Sequence, residues 1–158
     1  MNKNAERGVS HKKMNYLEVA FMSTRGTAYF EIQEPSGDEP VEIARIGISS
    51  DGYPSGFGSD VCDLISGMLI DESTNSTFGR QKNRKCFRTI EGAILHILHE
   101  IPSDYFFDDE YIYRFIFQPS NSGNSSHYVE DIMRVEVKHK YDRNDFSGTF
   151  EEFRTFCS

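Results

Sequence analysis

The sequence predicts a single α+β domain, in which an antiparallel sheet of about five strands carries two helices on one face and a short C-terminal helix. Three observations lead to this fold class. A chain of 158 residues has the length of one domain. Apolar and polar residues alternate in several short runs, which is typical of half-buried strands. Between these runs lie two segments with apolar residues every three or four positions, which is typical of amphipathic helices.

Alternation predicts three strands early in the chain, arranged as an antiparallel meander. They are expected at residues 16–22, 27–33 and 41–49. A short connection that ends in Gly26 joins the first two, and a turn with two prolines over residues 35–40 joins the second to the third.

The third of these strands changes phase in its middle. Val41 and Ile43 would lie on one face, whereas Ile46 and Ile48 would lie on the other. We therefore expect either a bulge near Ala44, which restores a single apolar face, or a strand that is covered on both faces.

Two helices are predicted next. The first begins near Ser59, which can cap the helix N-terminus, with Asp60 in the first turn to complement the helix dipole. Its apolar stripe consists of Val61, Leu64, Ile65, Met68 and Leu69. The second covers residues 89–101 and ends before Pro102. Residues 71–88 between them are polar, which predicts a long loop.

Two further strands and a terminal helix complete the domain. Residues 110–117 have aromatic side chains at alternate positions and predict a strand in the centre of the sheet. Residues 132–139 alternate cleanly and predict a more exposed strand. Phe146, Phe150 and Phe153 have helical spacing and predict a short helix that packs on the domain.

Charge and composition exclude several classes of protein. The net charge is −8 and the sequence pI is about 5.1. Four cations against one acid give residues 1–13 a net charge of +3, so −11 remains on residues 14–158. We expect residues 1–13 to be a disordered basic arm. An acidic domain disfavours direct nucleic-acid binding, because phosphate contacts need basic surface.

The remaining composition predicts a soluble cytoplasmic protein without a cofactor. No apolar run approaches the roughly 18 residues that predict a membrane helix. The first 13 residues are polar, so we expect no secretory signal. Cysteines number three, an odd count that predicts free thiols.

A glycine-rich turn joins the third predicted strand to the first helix and is one candidate binding site. Its candidate residues are Asp51, Gly52, Tyr53, Pro54, Gly56 and Gly58. Glycines at this spacing before a helix N-terminus could hold a phosphate or the backbone of a partner. Asp51, Asp60 and Asp63 would repel a phosphate, and no P-loop lysine follows. The alternative is a rigid turn before a capped helix.

A basic segment within the predicted loop is the second candidate. Its candidate residues are Arg80, Lys82, Arg84, Lys85 and Arg88. Five cations without an acid between them could bind phosphate, a nucleotide or an acidic protein surface. Phe87 could stack on a base, or it could anchor a solvated loop to the core.

Residues suited to catalysis or metal binding do not form a recognisable constellation. His96 and His99 have a spacing that could place two ligands on one metal, but both fall away from the apolar face, so we expect an exposed pair. Cys86 lies between Lys85 and Arg88, which could favour the thiolate. Without a nucleophile elbow or another catalytic spacing, we predict no enzyme, no catalytic residue and no metal.

An acidic segment with three consecutive aromatic residues follows the second helix. Its acids are Asp104, Asp108, Asp109 and Glu110, and its aromatic residues are Tyr105, Phe106 and Phe107. Such a segment could imitate the charge of nucleic acid towards a basic host protein. Alternatively, it is a solvated loop that its aromatic side chains anchor to the core.

A stretch of nineteen residues from the third strand to the first helix resembles a known group. Residues 46–64 read Ile-Gly-Ile-Ser-Ser-Asp-Gly-Tyr-Pro-Ser-Gly-Phe-Gly-Ser-Asp-Val-Cys-Asp-Leu. The Asp-Gly-Tyr-Pro turn before a helix resembles small, mostly uncharacterised proteins encoded by phages and mobile elements. Where Ser49 and Ser50 stand, that group commonly has an aromatic residue or histidine. The resemblance implies a phage or prophage accessory protein in the host cytoplasm and supplies no catalytic residues.

These features favour a non-enzymatic binding protein that modulates or inhibits a host protein complex in defence or nucleic-acid machinery. The expected partner is a host protein. The alternative is a small-molecule binder, such as a sponge for a signalling nucleotide, that uses the glycine-rich turn and the basic segment. The sequence does not predict an oligomeric state.

Overall fold

The computed structural model describes residues 24–73, 80–81, 84–120, 126–141 and 145–158, with the main chain alone at 80, 81 and 84. The predicted basic arm (1–13) and first strand (16–22) lie outside these ranges. The strands are β1 (Gly26–Ile32), β2 (Val41–Ile48), β3 (Leu69–Asp71), β4 (Arg80–Gln81), β5 (Arg84–Phe87), β6 (Tyr111–Phe117), β7 (Ser126–Tyr128), β8 (Met133–His139) and β9 (Phe146–Thr149). The helices are α1 (Ser59–Ile65), α2 (Ile90–Glu100) and α3 (Phe150–Cys157).

The main sheet has five strands in the order β2-β1-β6-β8-β9, with the predicted aromatic strand in its centre. This confirms the single α+β domain with a C-terminal helix. The sheet is mixed, however, because β1 and β6 pair in parallel while its other pairs are antiparallel. β2 returns the chain to the end of the sheet where β1 begins, and α1 and α2 lead to the start of β6 at that same end, so β6 runs parallel to β1.

The phase change in β2 is a β-bulge. Phe30 pairs with Ala44, whereas the next residue, Glu31, pairs with Glu42, so Ile43 is the extra residue. The bulge returns Ala44, Ile46 and Ile48 to the face that packs on the core. The first of the two alternatives from the sequence is therefore the one that the structure adopts.

Aromatic rings from the sheet and the helices form the core on one face of the main sheet. Phe30 and Phe115 stack with ring centroids 5.3 Å apart. Phe57 lies 5.0 Å from Tyr113, and the ring of Phe153 meets Phe115 edge-on at 5.8 Å. Edge-on and offset pairs of this kind add to the stability that burial gives. The core thus fixes α1, α3 and the turn before α1 against the centre of the sheet.

The polar segment predicted as a loop contains strands instead. β4 and β5 form an antiparallel pair, and β3 pairs with β5 and β7, giving a second sheet in the order β4-β5-β3-β7. These strands have only two to four residues each. Strands this short do not show a regular alternation of apolar and polar side chains, so the sequence pattern does not predict them.

The helix ends differ in how well the sequence predicts them. Thr89 caps α2, with its side chain accepting a hydrogen bond from the Gly92 amide at 3.0 Å. Ser59 does not cap α1, because a π-helical turn over Pro54–Gly58 runs into that helix. Phe146 lies in β9 rather than in the terminal helix, and α3 begins after a capping box formed by Thr149 and Glu152. No helix among the described residues could cross a membrane.

Candidate functional site

The glycine-rich turn directs most of its polar groups inward. The Gly52 amide donates to the Thr24 carbonyl oxygen at 3.0 Å, and the buried Tyr113 hydroxyl donates to the Gly52 carbonyl oxygen at 2.5 Å. The Phe57 amide donates to the Asp51 carbonyl oxygen at 2.7 Å. These amides are already bonded, so they are not free to hold a phosphate. The arrangement corresponds to the rigid turn among the two alternatives.

Close packing explains the other special residues of the turn. A Cβ atom at Gly56 would lie 2.6 Å from the Asp51 carbonyl oxygen, and one at Gly58 would lie 2.5 Å from the Cys157 Sγ. Asp51 has φ of 53°, in the left-handed region that aspartate tolerates better than most residues. Pro54 begins the π-helical turn, and Tyr53 is 39% exposed with its hydroxyl donating to Asp51 at 3.3 Å.

A cleft of about 430 Å³ lies beside this turn. Apolar side chains from β2, α1 and the end of α2 line most of it, namely Ile48, Phe57, Val61, Leu64, Ile101 and Pro102. Three exposed carboxylates, those of Asp51, Asp60 and Glu100, also line it. No lysine, arginine or histidine is among its lining residues, and among the described residues these carboxylates form no ion pair. We call it the acidic cleft.

The two described basic side chains of the basic segment, Lys85 and Arg88, are not among the lining residues of the acidic cleft. Lys85 donates through Nζ to the Leu64 carbonyl oxygen at 2.7 Å, which places its charge against the C-terminal end of α1. Arg88 lines a second cleft of about 460 Å³, together with the acids Glu34, Glu72 and Glu91. For Arg80 and Arg84 only the main chain is described, and Lys82 lies outside the described residues. Arg88 therefore lines a different cleft, whereas Lys85 bonds to Leu64 in the wall of the acidic cleft.

The structure corrects the prediction of an exposed histidine pair. His96 is buried and its ring lies 5.1 Å from that of Phe87, whereas His99 is exposed. The apolar face of α2 is wide enough to include His96, because β5 covers that side of the helix as well. Among the described residues, no group of three or more His, Cys, Asp or Glu side chains could hold a metal.

The three cysteines are buried, so none presents an exposed thiol. Cys86 lies in β5 and is 4% exposed, although its basic neighbours in sequence suggested a reactive thiolate. A hydrogen bond between Cys62 and Cys157 lowers the pKa of Cys62 and raises that of Cys157. This pair joins α1 to α3 inside the core, which is a structural role.

The acidic aromatic segment (residues 104–110) lies on the opposite face of the main sheet from the aromatic core. Its main chain bonds to that face, since the Asp104 amide donates to the Gly47 carbonyl oxygen at 2.9 Å. The Thr27 hydroxyl donates to the Asp108 carbonyl oxygen at 2.8 Å. Its three rings point outward instead of anchoring the segment, with Tyr105 95%, Phe106 76% and Phe107 53% exposed.

The acidic aromatic segment and the acidic cleft are neighbours. Glu100 and Pro102 line the cleft, and the segment begins two residues later. Ile48 lines the cleft too, and the adjacent Gly47 forms the bridge to Asp104. The two features therefore meet at the end of β2, with the cleft on the side of the aromatic core and the segment on the opposite side. The sequence indicated the segment, but not the cleft, because residues far apart in the chain build the cleft.

Comparison with family models, with curated proteins and with solved structures found no match to this chain. The functional assignment therefore depends on the geometry of this surface.

Proposed function

We propose that the chain is a non-enzymatic binding protein, encoded by a phage or mobile element, that attaches to a basic protein surface of the host. The acidic aromatic segment forms the centre of its binding face. Through this contact it modulates or inhibits a host complex in defence or nucleic-acid machinery. The resemblance of residues 46–64 to phage and mobile-element proteins supports the biological setting, and the described surface supports the mode of binding.

The exposure of three consecutive aromatic rings carries this proposal. Tyr105, Phe106 and Phe107 are 95%, 76% and 53% exposed, although the burial of each ring away from water would be favourable. Aromatic residues are enriched at protein interfaces and supply a large part of binding energy there. A contiguous group of exposed rings therefore indicates a surface that a partner covers.

The segment is held in place before any partner arrives. The bond from Asp104 to Gly47 and the bond from Thr27 to Asp108 fix it near both ends. Arg45 lies over the Phe107 ring at 5.5 Å and over the Tyr29 ring at 5.1 Å. A surface that is already ordered loses less conformational entropy on binding, so these contacts favour affinity.

Charge selects the class of partner. From Glu100 to Glu110 the chain has five acids and no lysine or arginine. Lys140 pairs with Asp109 at 3.1 Å at one end and Arg45 lies over the Phe107 ring, whereas Asp104 accepts from the neighbouring Tyr105 amide at 2.7 Å and forms no ion pair among the described residues. A negative field around apolar rings complements a basic protein surface and accelerates the encounter with it. Proteins that handle nucleic acid carry such surfaces.

A phosphorylated small molecule is less well supported by the described geometry. The Gly52, Gly56 and Phe57 amides of the glycine-rich turn are occupied by hydrogen bonds within the protein. Arg88, the basic residue whose cleft is described, shares that cleft with three glutamates. Carboxylates at this density oppose the binding of a phosphate.

Affinity capture from a bacterial lysate, with mass spectrometry as the readout, tests the proposal. We expect the wild-type chain to retain one stoichiometric partner with a basic surface. The Tyr105→Ala/Phe106→Ala variant should retain at least tenfold less of this partner. The control is Leu95→Ala/Tyr128→Ala, which removes two exposed apolar side chains (58% and 47%) away from the segment. Capture that survives the first variant, or that the control loses equally, would exclude the segment as the binding face.

A further inference from the structure

The acidic cleft combines an apolar interior with a negatively charged rim. Ile48, Phe57 and Val61 are buried residues of its wall, while Asp51, Asp60 and Glu100 bring carboxylates to it. Its volume of about 430 Å³ falls within the range of roughly 300–1,000 Å³ that is usual for ligand cavities. The cleft could therefore enclose a group that is apolar along its length and positive at its end.

We infer that the acidic cleft binds the guanidinium group of an arginine side chain on the basic partner. This inference rests on the proposed function, because it assigns the cleft to the same partner. Arginine buries its aliphatic stem along apolar surface while its head remains charged. Here the stem contacts the apolar wall, and the planar head donates hydrogen bonds to carboxylates at the rim.

The charges of the cleft select a cation over a neutral group. Three carboxylates come from three places in the fold, namely the glycine-rich turn, α1 and the end of α2. Among the described residues, none of the three has an ion-pair partner. A cation in the cleft would therefore gain attraction from all three, without replacing an internal pair.

The position of the cleft suits an anchor residue. It meets the acidic aromatic segment at the end of β2, so one partner that reaches around this end can cover the rings and insert a side chain into the cleft. Arginine and aromatic residues are the types that dominate binding energy at such centres.

Titration of the purified chain with n-butylguanidinium, followed through backbone amide NMR shifts, tests this inference without a partner protein. The matched probe is n-butylurea, which has the same shape and no charge. We expect saturable shifts in the millimolar range at residues of the cleft for the cation, and at least tenfold weaker binding for the urea. Raising the salt concentration should weaken the binding of n-butylguanidinium and leave that of n-butylurea unchanged.

Two variants with equal charge change complete the test. Asp60→Asn/Glu100→Gln should lower the affinity for n-butylguanidinium at least tenfold. Asp63→Asn/Glu91→Gln changes residues on the same helices but outside the cleft, and it should leave this affinity unchanged. Equal binding of the two probes, or shifts that map elsewhere, would overturn the inference while the aromatic segment stays a candidate. Binding in the cleft together with failed capture by the segment would reject the proposed function instead.

Discussion

At the scale of single residues, Gly47 determines where the acidic aromatic segment can lie. A Cβ atom at this position would overlap the Phe106 carbonyl oxygen and lie 2.8 Å from that of Asp104. The main chain of the segment approaches β2 this closely only because glycine has no side chain. The sequence does not reveal this role, since a glycine inside a strand is compatible with several other uses.

Gly47→Ala should therefore release the segment while the sheet stays folded. The Asp104 amide donates to the Gly47 carbonyl oxygen at 2.9 Å, so its hydrogen exchange should accelerate at least tenfold in the variant. Amides between β6 and β8 provide the internal control and should keep their protection. An Asp104 amide with unchanged protection would mean that the added methyl group is accommodated and that Gly47 does not position the segment.

The burial of the Tyr113 hydroxyl predicts how the free energy of unfolding responds to alkaline pH. Its hydroxyl is buried and donates to the Gly52 carbonyl oxygen, and burial raises the pKa of this tyrosine far above its usual value near 10. The unfolded chain loses this proton near pH 10 and the folded chain keeps it, so the free energy of unfolding falls as pH rises above about 10. The slope from this residue reaches about 1.4 kcal/mol per pH unit.

Urea unfolding of Tyr113→Phe at several pH values from 8 to 12 measures this contribution. The variant should be less stable at pH 8 by about 1–3 kcal/mol, because the Gly52 carbonyl oxygen loses its donor. Above pH 10 its stability should decline less steeply than that of the wild type. Tyr105→Phe, which alters a 95% exposed residue, should follow the wild-type curve. Parallel slopes for Tyr113→Phe and wild type would contradict the account.

At the scale of elements, an ion-pair network joins three strands on the face opposite the aromatic core. Arg114 of β6 donates two hydrogen bonds to Glu31 of β1, both at 2.7 Å, and one to Glu136 of β8 at 2.6 Å. The bond to Glu31 raises the pKa of Arg114. Because Glu31 is only 6% exposed, its charge depends on this partner.

Arg114→Met should lower the free energy of unfolding by about 3 kcal/mol, since it leaves the Glu31 carboxylate buried without a counter-charge. Lys140→Met is the control, because its pair with Asp109 is exposed on both sides and should contribute less than about 1 kcal/mol. Denaturant unfolding of both variants gives the comparison. Equal losses in the two variants would show that the network does not stabilise the central strands.

The elements also show what the sequence can and cannot predict. Long periodic segments such as α2 and β6 were predicted nearly to their ends, because their side chains report which face is buried. The parallel pairing of β1 with β6 was not, since it depends on where the chain enters the sheet again after α1 and α2. The short strands β3, β4 and β5 and the burial of His96 were also not predicted, because they depend on partners far away in the sequence.

At the scale of the whole molecule, the net charge of −8 is unevenly distributed over the surface. Acids line both clefts and the acidic aromatic segment, while Arg45 and Lys140 lie at the segment and Lys85 bonds to Leu64 of the acidic cleft. One candidate site from the sequence, the glycine-rich turn, contributes to the wall of the cleft, and its Gly52, Gly56 and Phe57 amides bond within the protein. The molecule thus has exposed acids and aromatic rings around the end of β2, which we propose as the binding face for a basic partner.

The dissociation constant of the captured partner, measured by titration calorimetry with the Tyr105→Ala/Phe106→Ala variant beside the wild type, tests this claim most directly. We predict that the variant binds at least 30-fold more weakly, because two central aromatic residues contribute about 2 kcal/mol or more. Wild-type affinity should also fall as salt rises. A variant that binds within twofold of the wild type would contradict the assignment of this face.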